Sequence, residues 1–462
     1  MLAPSLEVPC ALACGMDRPA RGSIGATWCI PVTLLALLAV TYAQPSPDPP
    51  SPLAPSDTAG LIAYVTPAGR PALVDPSSGA SYRLDERAQR TQFPAWSPDG
   101  DAVTFISTGP EGPGVDLYRP ALGQRAQVYG NADEPPIYHG WSPDGRRLAV
   151  LANRVGGLGL YLVDVAAASA DASSLAPERT ASEPGDALAI EHFLASGAPF
   201  YWDWTPAGDA LLVHRNVMSA EAEVGVTGLD VYALDPTFAA PGAFQSPAVS
   251  PSGAWAAYAT RDGGDTRRVV LEQLAQPGPG EARRELSHRG FAAFAWHPRR
   301  DLLAVQRAVL DGPHAYGPIV TLDAESGDLE PLVDDLALAF WWSPDGARIA
   351  YLAPVPSAPP EREQQVMDRV QSVNGRMALR VVEVASGDLR ELARFTPSPL
   401  FLRQYLPFFD QYARSHRLWS PASDALVVPV VDPTGGRVLR VYGLDGSVRT
   451  LVPGDMPAWN VR

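Results

Sequence analysis

At 462 residues, 46% apolar and 19% charged, the chain is globular in composition, and its 48 prolines and 40 glycines call for frequent chain reversal. A net charge of −15 argues against nucleic acid or an anionic membrane surface as a partner. The three cysteines, Cys10, Cys14 and Cys29, stand within the first 29 residues, so the rest of the chain offers no disulfide, thiolate metal site or cysteine nucleophile.

The first 43 residues carry the pattern of a signal peptide or N-terminal anchor. Arg18 and Arg21 precede an apolar stretch from Trp28 to Val40, and Thr41-Tyr42-Ala43 ends in a small residue suited to cleavage. The stretch is shorter than the roughly 20 residues of a membrane span. A secreted, periplasmic or cell-surface location is therefore expected, with membrane contact only through this segment. Residues 44–59 are rich in Pro and Ser and read as a stiff linker.

From residue 60 onward the chain repeats. Clear copies are FPAWSPDGDAVTF around Trp96, YHGWSPDGRRLAVL around Trp141 and AFWWSPDGARIAYL around Trp342. Weaker copies centre on Trp204, Val249, Trp296 and Trp419. Successive anchors are 45, 63, 45, 47, 46 and 77 residues apart, so four of six gaps match one four-stranded propeller blade and two match a blade plus an insertion. Ser-Pro-Asp-Gly suits a type I turn, with Ser bonding the backbone, Pro presetting φ and Gly taking a left-handed conformation. Alternating strands follow each turn, with no helix between them, which excludes a βαβ sheet.

The reading is all-β: a β-propeller of four-stranded antiparallel blades filling residues 60–462, with eight blades favoured and seven as the alternative. The end of the chain, Met456 to Val461, is an innermost strand with nothing after it, and residues 60–88 supply three unmatched strands. Pairing of the terminal strands closes the ring and leaves no sticky edge.

The Trp-Ser-Pro-Asp-Gly turn with its following strands resembles the WD-like propeller repeat of the TolB family, and also the propeller domains of dipeptidyl-peptidase and prolyl-oligopeptidase relatives. The resemblance covers nearly all of residues 60–462. It implies a propeller fold but no catalytic or partner residue, because no Gly-x-Ser-x-Gly nucleophile elbow occurs and no separate α/β or hydrolase domain is legible.

Candidate site residues come from the innermost strands and from three insertions, at 169–199, 355–377 and 396–416. Ahead of the tryptophan anchors stand Tyr138, His139, Tyr201, Trp202, Asp203, Phe340, His416 and Arg417, aromatic faces with a few polar groups of the kind a peptide or carbohydrate site uses. The residues 187–194 read as a short amphipathic helix, and Glu361 to Val373 as a charged helix. The third insertion is the densest aromatic segment and includes Phe408, Phe409 and Tyr412. It is either a loop folded back on the rim or a lid or docking patch.

The recurring Asp99, Asp144 and Asp345 read as turn residues, since Ala or Ser replaces them elsewhere, and the seven histidines show no metal-ligand spacing. No metal, cofactor or catalytic residue is assigned. The expectation is a monomeric extracytoplasmic scaffold that binds a protein, peptide or carbohydrate. Alternatives are a lyase or hydrolase using channel-mouth His and Asp residues, and a small-ligand sensor.

Overall fold

A computed structural model describes residues 57–85, 90–109, 112–165, 191–197, 200–215, 223–228, 246–261, 267–274, 283–288, 290–307, 317–355 and 375–462. These form eight antiparallel sheets, numbered here as blades 1 to 8 in chain order. Blade 1 joins the C-terminal strand Asp455–Trp459 to Ile62–Val65, Pro71–Val74 and Ser81–Arg83. Blade 2 begins with Arg90–Trp96, blade 3 with Pro136–Trp141, blade 4 with Phe200–Trp204 and blade 5 with Ala248–Val249. Blade 6 begins with Ala292–Trp296 and blade 7 with Ala339–Trp342. In blade 8 the innermost position is a single bridge from Trp419 to Leu426 of the strand Ala425–Val431.

The closure expected between the termini is present. Ile62 pairs with Trp459 and Ala63 with Ala458, while Asn460 Nδ2 donates to the carbonyls of Thr58 (2.7 Å) and Gly100 (3.0 Å). The turn chemistry also holds. In Ser97-Pro98-Asp99-Gly100, the Gly100 amide donates to the Ser97 carbonyl at 2.9 Å with Gly100 at φ 72°. Ser97 Oγ donates to Asp99, whose carboxylate also accepts the Asp101 amide. The aspartate is spent inside its own turn.

The repeat tryptophans sew neighbouring blades together. The indole N–H of Trp96 donates to the Ala458 carbonyl (2.9 Å), that of Trp141 to Ala95 (3.1 Å), and that of Trp296 to Ala248 (3.2 Å). Trp342 donates to Ala295 (3.0 Å) and Trp419 to Trp341 (3.1 Å). Every acceptor is the residue just before the equivalent anchor of the preceding blade. Blade 4 breaks the series, because buried Trp204 has no partner for its indole N–H among the described residues. In blade 5, Val249 stands at the anchor, and its backbone amide donates to Asp203 at 2.8 Å instead.

A second, outer set of stitches uses arginine. Arg284 donates to the Glu325 carbonyl, Arg390 to Leu444, and Arg449 to Pro76 and Ser77, each reaching the next blade. Between these two rings lies the apolar core. Ile62, Tyr64, Val427 and Leu439 join blades 8 and 1, while Trp255, Leu271, Phe294 and Leu303 join blades 5 and 6. Blade faces are therefore buried against their neighbours, in keeping with continuous buried runs such as Ile62–Val65 and Pro71–Val74.

One local expectation fails. Residues 191–194, read as part of a helix, belong to the strand Glu191–Gly197, the outermost of blade 3. Pairing with Gly157–Asp164 overrides the local helical spacing. The remainder of the first insertion, and the charged stretch Glu361 to Val373, lie outside the described residues.

Candidate functional site

The aromatic segment 396–416 leaves blade 7 and runs across the entries of the innermost strands before joining blade 8. Ser398 starts its turns, since Ser398 Oγ accepts the Phe401 amide at 3.1 Å and the Ser398 carbonyl accepts the Leu402 amide. A π-helical turn, Phe401–Tyr405, passes into a 3₁₀ turn, Leu406–Phe408, and a single α-turn, Phe409–Tyr412. Pro407, in the first turn of the 3₁₀ helix, suits this tightening, because its missing N–H is not needed there.

Its side chains reach around the ring. Tyr412 lies 5.1 Å from the Phe93 ring of blade 2 and 5.0 Å from Tyr138 of blade 3. Phe409 packs on Phe340 at 5.5 Å and on Trp341 at 6.1 Å, both in blade 7. Phe401, Tyr405, Phe409 and Tyr412 are all buried. Each buried aromatic stabilises by roughly 1.5–3 kcal/mol, so the segment is an integral part of the core. It is a plug in one end of the propeller channel.

Polar groups fasten the plug. The Arg414 guanidinium donates to the carbonyls of Trp202 (2.7 Å) and Pro247 (2.5 Å) and pairs with Asp203 at 3.2 Å. Gln411 Oε1 accepts from Ser246 Oγ at 3.0 Å and from the Trp202 amide at 3.3 Å. Asp410 accepts the Ser246 amide at 3.4 Å. Burial pushes Asp203 and Asp410 above the usual carboxylate range, with Arg414 acting in the opposite direction on both. Tyr138 shares a hydrogen bond with Ser415 (2.9 Å), which shares another with His416 Nδ1 (2.8 Å).

Under the plug is an apolar cavity of about 10 Å³, room for one water. Phe93, Phe401, Tyr405, His416, Leu418 and Met456 line it. Phe93 and Met456 both hold positive φ, 52° and 50°, each just before the Pro-Ala-Trp of its innermost strand, and the Phe93 amide donates to Met456 Sδ at 3.3 Å. Such strain survives only where the surroundings over-determine it. Here the plug packed above supplies that constraint.

The sequence-derived candidates fall into three groups. Tyr138, Trp202, Phe340, Phe409, Tyr412 and His416 are brought together as walls and body of the plug and are buried. His139 is also fully buried but is turned toward blade 2, sharing a hydrogen bond with Thr104 Oγ1 at 2.8 Å. Burial pushes both histidines down to about 3, with His139 adding to the effect on His416. Tyr201 and Asp203 are half-buried, while Phe408 and Arg417 are exposed. A lid or docking patch needs an exposed cluster of rings, and Phe408 is the exposed ring of this segment. Arg414, Ser415 and Ser246 complete the network and carry no signal in the sequence beyond their nearness to aromatic residues. Among the described residues no three His, Cys, Asp or Glu side chains stand together as a metal site.

No protein-family model and no curated protein matches the sequence. Solved structures do match in fold. A structure of prolyl endopeptidases is 11% identical with a TM-score of 0.51, covering 80% of this chain and 50% of that one. A eukaryotic initiation factor is 11% identical with a TM-score of 0.50, covering 87% and 99%. TolB from Acinetobacter baumannii is 15% identical with a TM-score of 0.37, covering 73% and 64%, so this chain matches less than two thirds of TolB's length. What the prolyl endopeptidase and initiation-factor structures share with this chain at these identities is the fold alone.

Proposed function

We propose that the chain works outside the cytoplasm as a propeller scaffold that binds a protein, peptide or other ligand. The observation that carries this reading is the plug. One end of the channel is filled by the chain's own aromatic residues and leaves a cavity of about 10 Å³, too small for a substrate. A rigid ring sealed in that way is suited to presenting its outer faces and loops. The apolar stretch Trp28 to Val40 behind Arg18 and Arg21 supports export.

A hydrolase or lyase using His139 or His416 as base is disfavoured, since both are buried and held neutral far below the range of a useful general base. Two measurements test the proposal. A tagged full chain in producing cells should appear in the medium, or be degraded by added protease once the outer envelope is permeabilised and the cytoplasmic membrane is left intact; protection until the cytoplasmic membrane is lysed would sink the extracytoplasmic half. Purified protein should gain thermal stability with at least one member of a peptide, oligosaccharide and envelope-protein panel. Turnover of a panel member, abolished by changing His139 or His416, would replace the scaffold reading with the enzymatic one.

A further inference from the structure

Three non-glycine residues hold positive φ among the described residues, and two of them meet: Phe93 (52°) and Met456 (50°) both line the small cavity under the plug. A side-chain-bearing residue adopts such a conformation at a cost of about 1–3 kcal/mol, and these outliers gather where a group must be aimed at a ligand. The Phe93 amide fixes Met456 Sδ by donating to it at 3.3 Å. Met456 brings a thioether, a soft and polarisable group, to a chamber walled by Phe93, Phe401, Tyr405 and Leu418, with His416 and Asp455 as its polar members.

His416 is the second donor. It is 1% exposed, and its Nε2 has no hydrogen-bond partner among the described residues. The protons around it follow from their neighbours. The Tyr138 hydroxyl donates to the Gln411 carbonyl at 3.1 Å, so Ser415 Oγ gives its own proton to Tyr138 at 2.9 Å and accepts one from His416 Nδ1 at 2.8 Å. Nε2 is left with a bare lone pair, the form in which an imidazole binds a metal while a neighbour orients its other nitrogen. Burial keeps the ring neutral. Water is a poor occupant, because it needs about two to four polar partners. The Asp455 carboxylate is already engaged by Ser398, Arg437 and the Met456 amide.

We propose that His416 Nε2 and Met456 Sδ form a two-ligand site for a soft monovalent cation, Cu(I), in the cavity under the plug. The cavity of about 10 Å³ takes one such ion and no larger ligand. Thioether sulfur selects Cu(I) over hard divalent ions, and a pair of donors falls short of the four that zinc takes in a structural site. The Asp455 carboxylate in the same wall balances the charge, and the rings of Phe93 and Tyr405 favour a desolvated cation. The site and the scaffold reading are independent, since either holds without the other.

The probe is Cu(I), kept reduced with ascorbate under nitrogen and presented as its coloured bicinchoninate complex. The protein is the full chain carrying Cys10→Ser, Cys14→Ser and Cys29→Ser, so that no thiol competes. This parent should withdraw a single equivalent of copper, and Met456→Leu and His416→Gln should each weaken that binding about tenfold or more. Met377→Leu, which alters a buried methionine that does not line the cavity, should leave it unchanged. Copper-edge X-ray absorption on the loaded parent should show one sulfur and one nitrogen neighbour, a result that needs no variant to fold. The site is overturned if the parent withdraws no copper, if Met456→Leu and His416→Gln bind as the parent does, or if the bound copper has no sulfur neighbour.

Discussion

The tryptophan stitches make a prediction with its own internal control. Trp96 and Trp204 occupy equivalent repeat positions and are similarly buried, 6% and 8% exposed. Trp96 donates to the Ala458 carbonyl at 2.9 Å across the ring closure, whereas the Trp204 indole N–H has no partner among the described residues. Replacing either by Phe removes the same ring volume, so the packing loss cancels in the comparison. Trp96→Phe also loses a hydrogen bond worth about 0.5–1.5 kcal/mol and strands a buried carbonyl. Trp204→Phe instead removes a buried, unpaired donor whose desolvation costs roughly 1–3 kcal/mol. The two variants should therefore differ by about 2 kcal/mol or more, with Trp96→Phe the less stable. Urea midpoints with tryptophan-independent detection, such as far-UV circular dichroism, would read this directly. If Trp204→Phe is as destabilising as Trp96→Phe, the indole hydrogen bonds are not what distinguishes the blades.

Further outcomes follow from the same contacts. Phe409→Ala should cost about 3–5 kcal/mol and Phe408→Ala under about 1 kcal/mol, because the first ring is buried between Phe340 and Trp341 and the second is exposed; equal losses in thermal unfolding would contradict the plug. Asn460→Ala should loosen ring closure by removing donors to Thr58 and Gly100, making the C-terminal strand the earliest to exchange its amides, and unchanged protection there would argue against it. His139 and His416 have folded pKa values of about 3, against roughly 6.5 unfolded, so the unfolded chain binds more protons in that window. Their contribution is present above about pH 6.5 and falls by roughly 1.4 kcal/mol per pH unit for each histidine as pH drops toward 3. Asp203, Asp410 and Asp455 act in the opposite sense, because their raised pKa values favour the fold when protonated and that contribution is lost as pH rises through them. Changing both histidines to Gln should flatten the urea midpoint between pH 6.5 and 5, and an unaltered slope would refute the assignment.

What the sequence made legible is what local chemistry decides. Ser-Pro-Asp-Gly specifies its turn within four residues, and the unmatched strand at Met456 had to find the unmatched strands of residues 60–88. Long-range destinations were hidden. That Trp141 donates to Ala95 of the blade before it depends on how two sheets pack, which periodicity does not encode. The strand Glu191–Gly197 was misread because Ile190, Phe193 and Leu194 sit at helical spacing, while an open edge at Gly157–Asp164 supplied a stronger partner. The positive φ of Phe93 and Met456 was likewise unreadable, because nothing in Phe-Pro or Met-Pro demands it until the plug packs above.

The aromatic insertion shows why residue type alone misdirects the search for a site. Phe401, Tyr405, Phe409 and Tyr412 have the composition of a binding surface, and the same composition serves as core once the segment crosses the channel end. Ring density measures apolar area without saying which side of the fold will cover it. Charge is more discriminating, because its cost depends on the surroundings. Arg414 is matched by Asp203 and two carbonyls, so its presence is explained by structure alone.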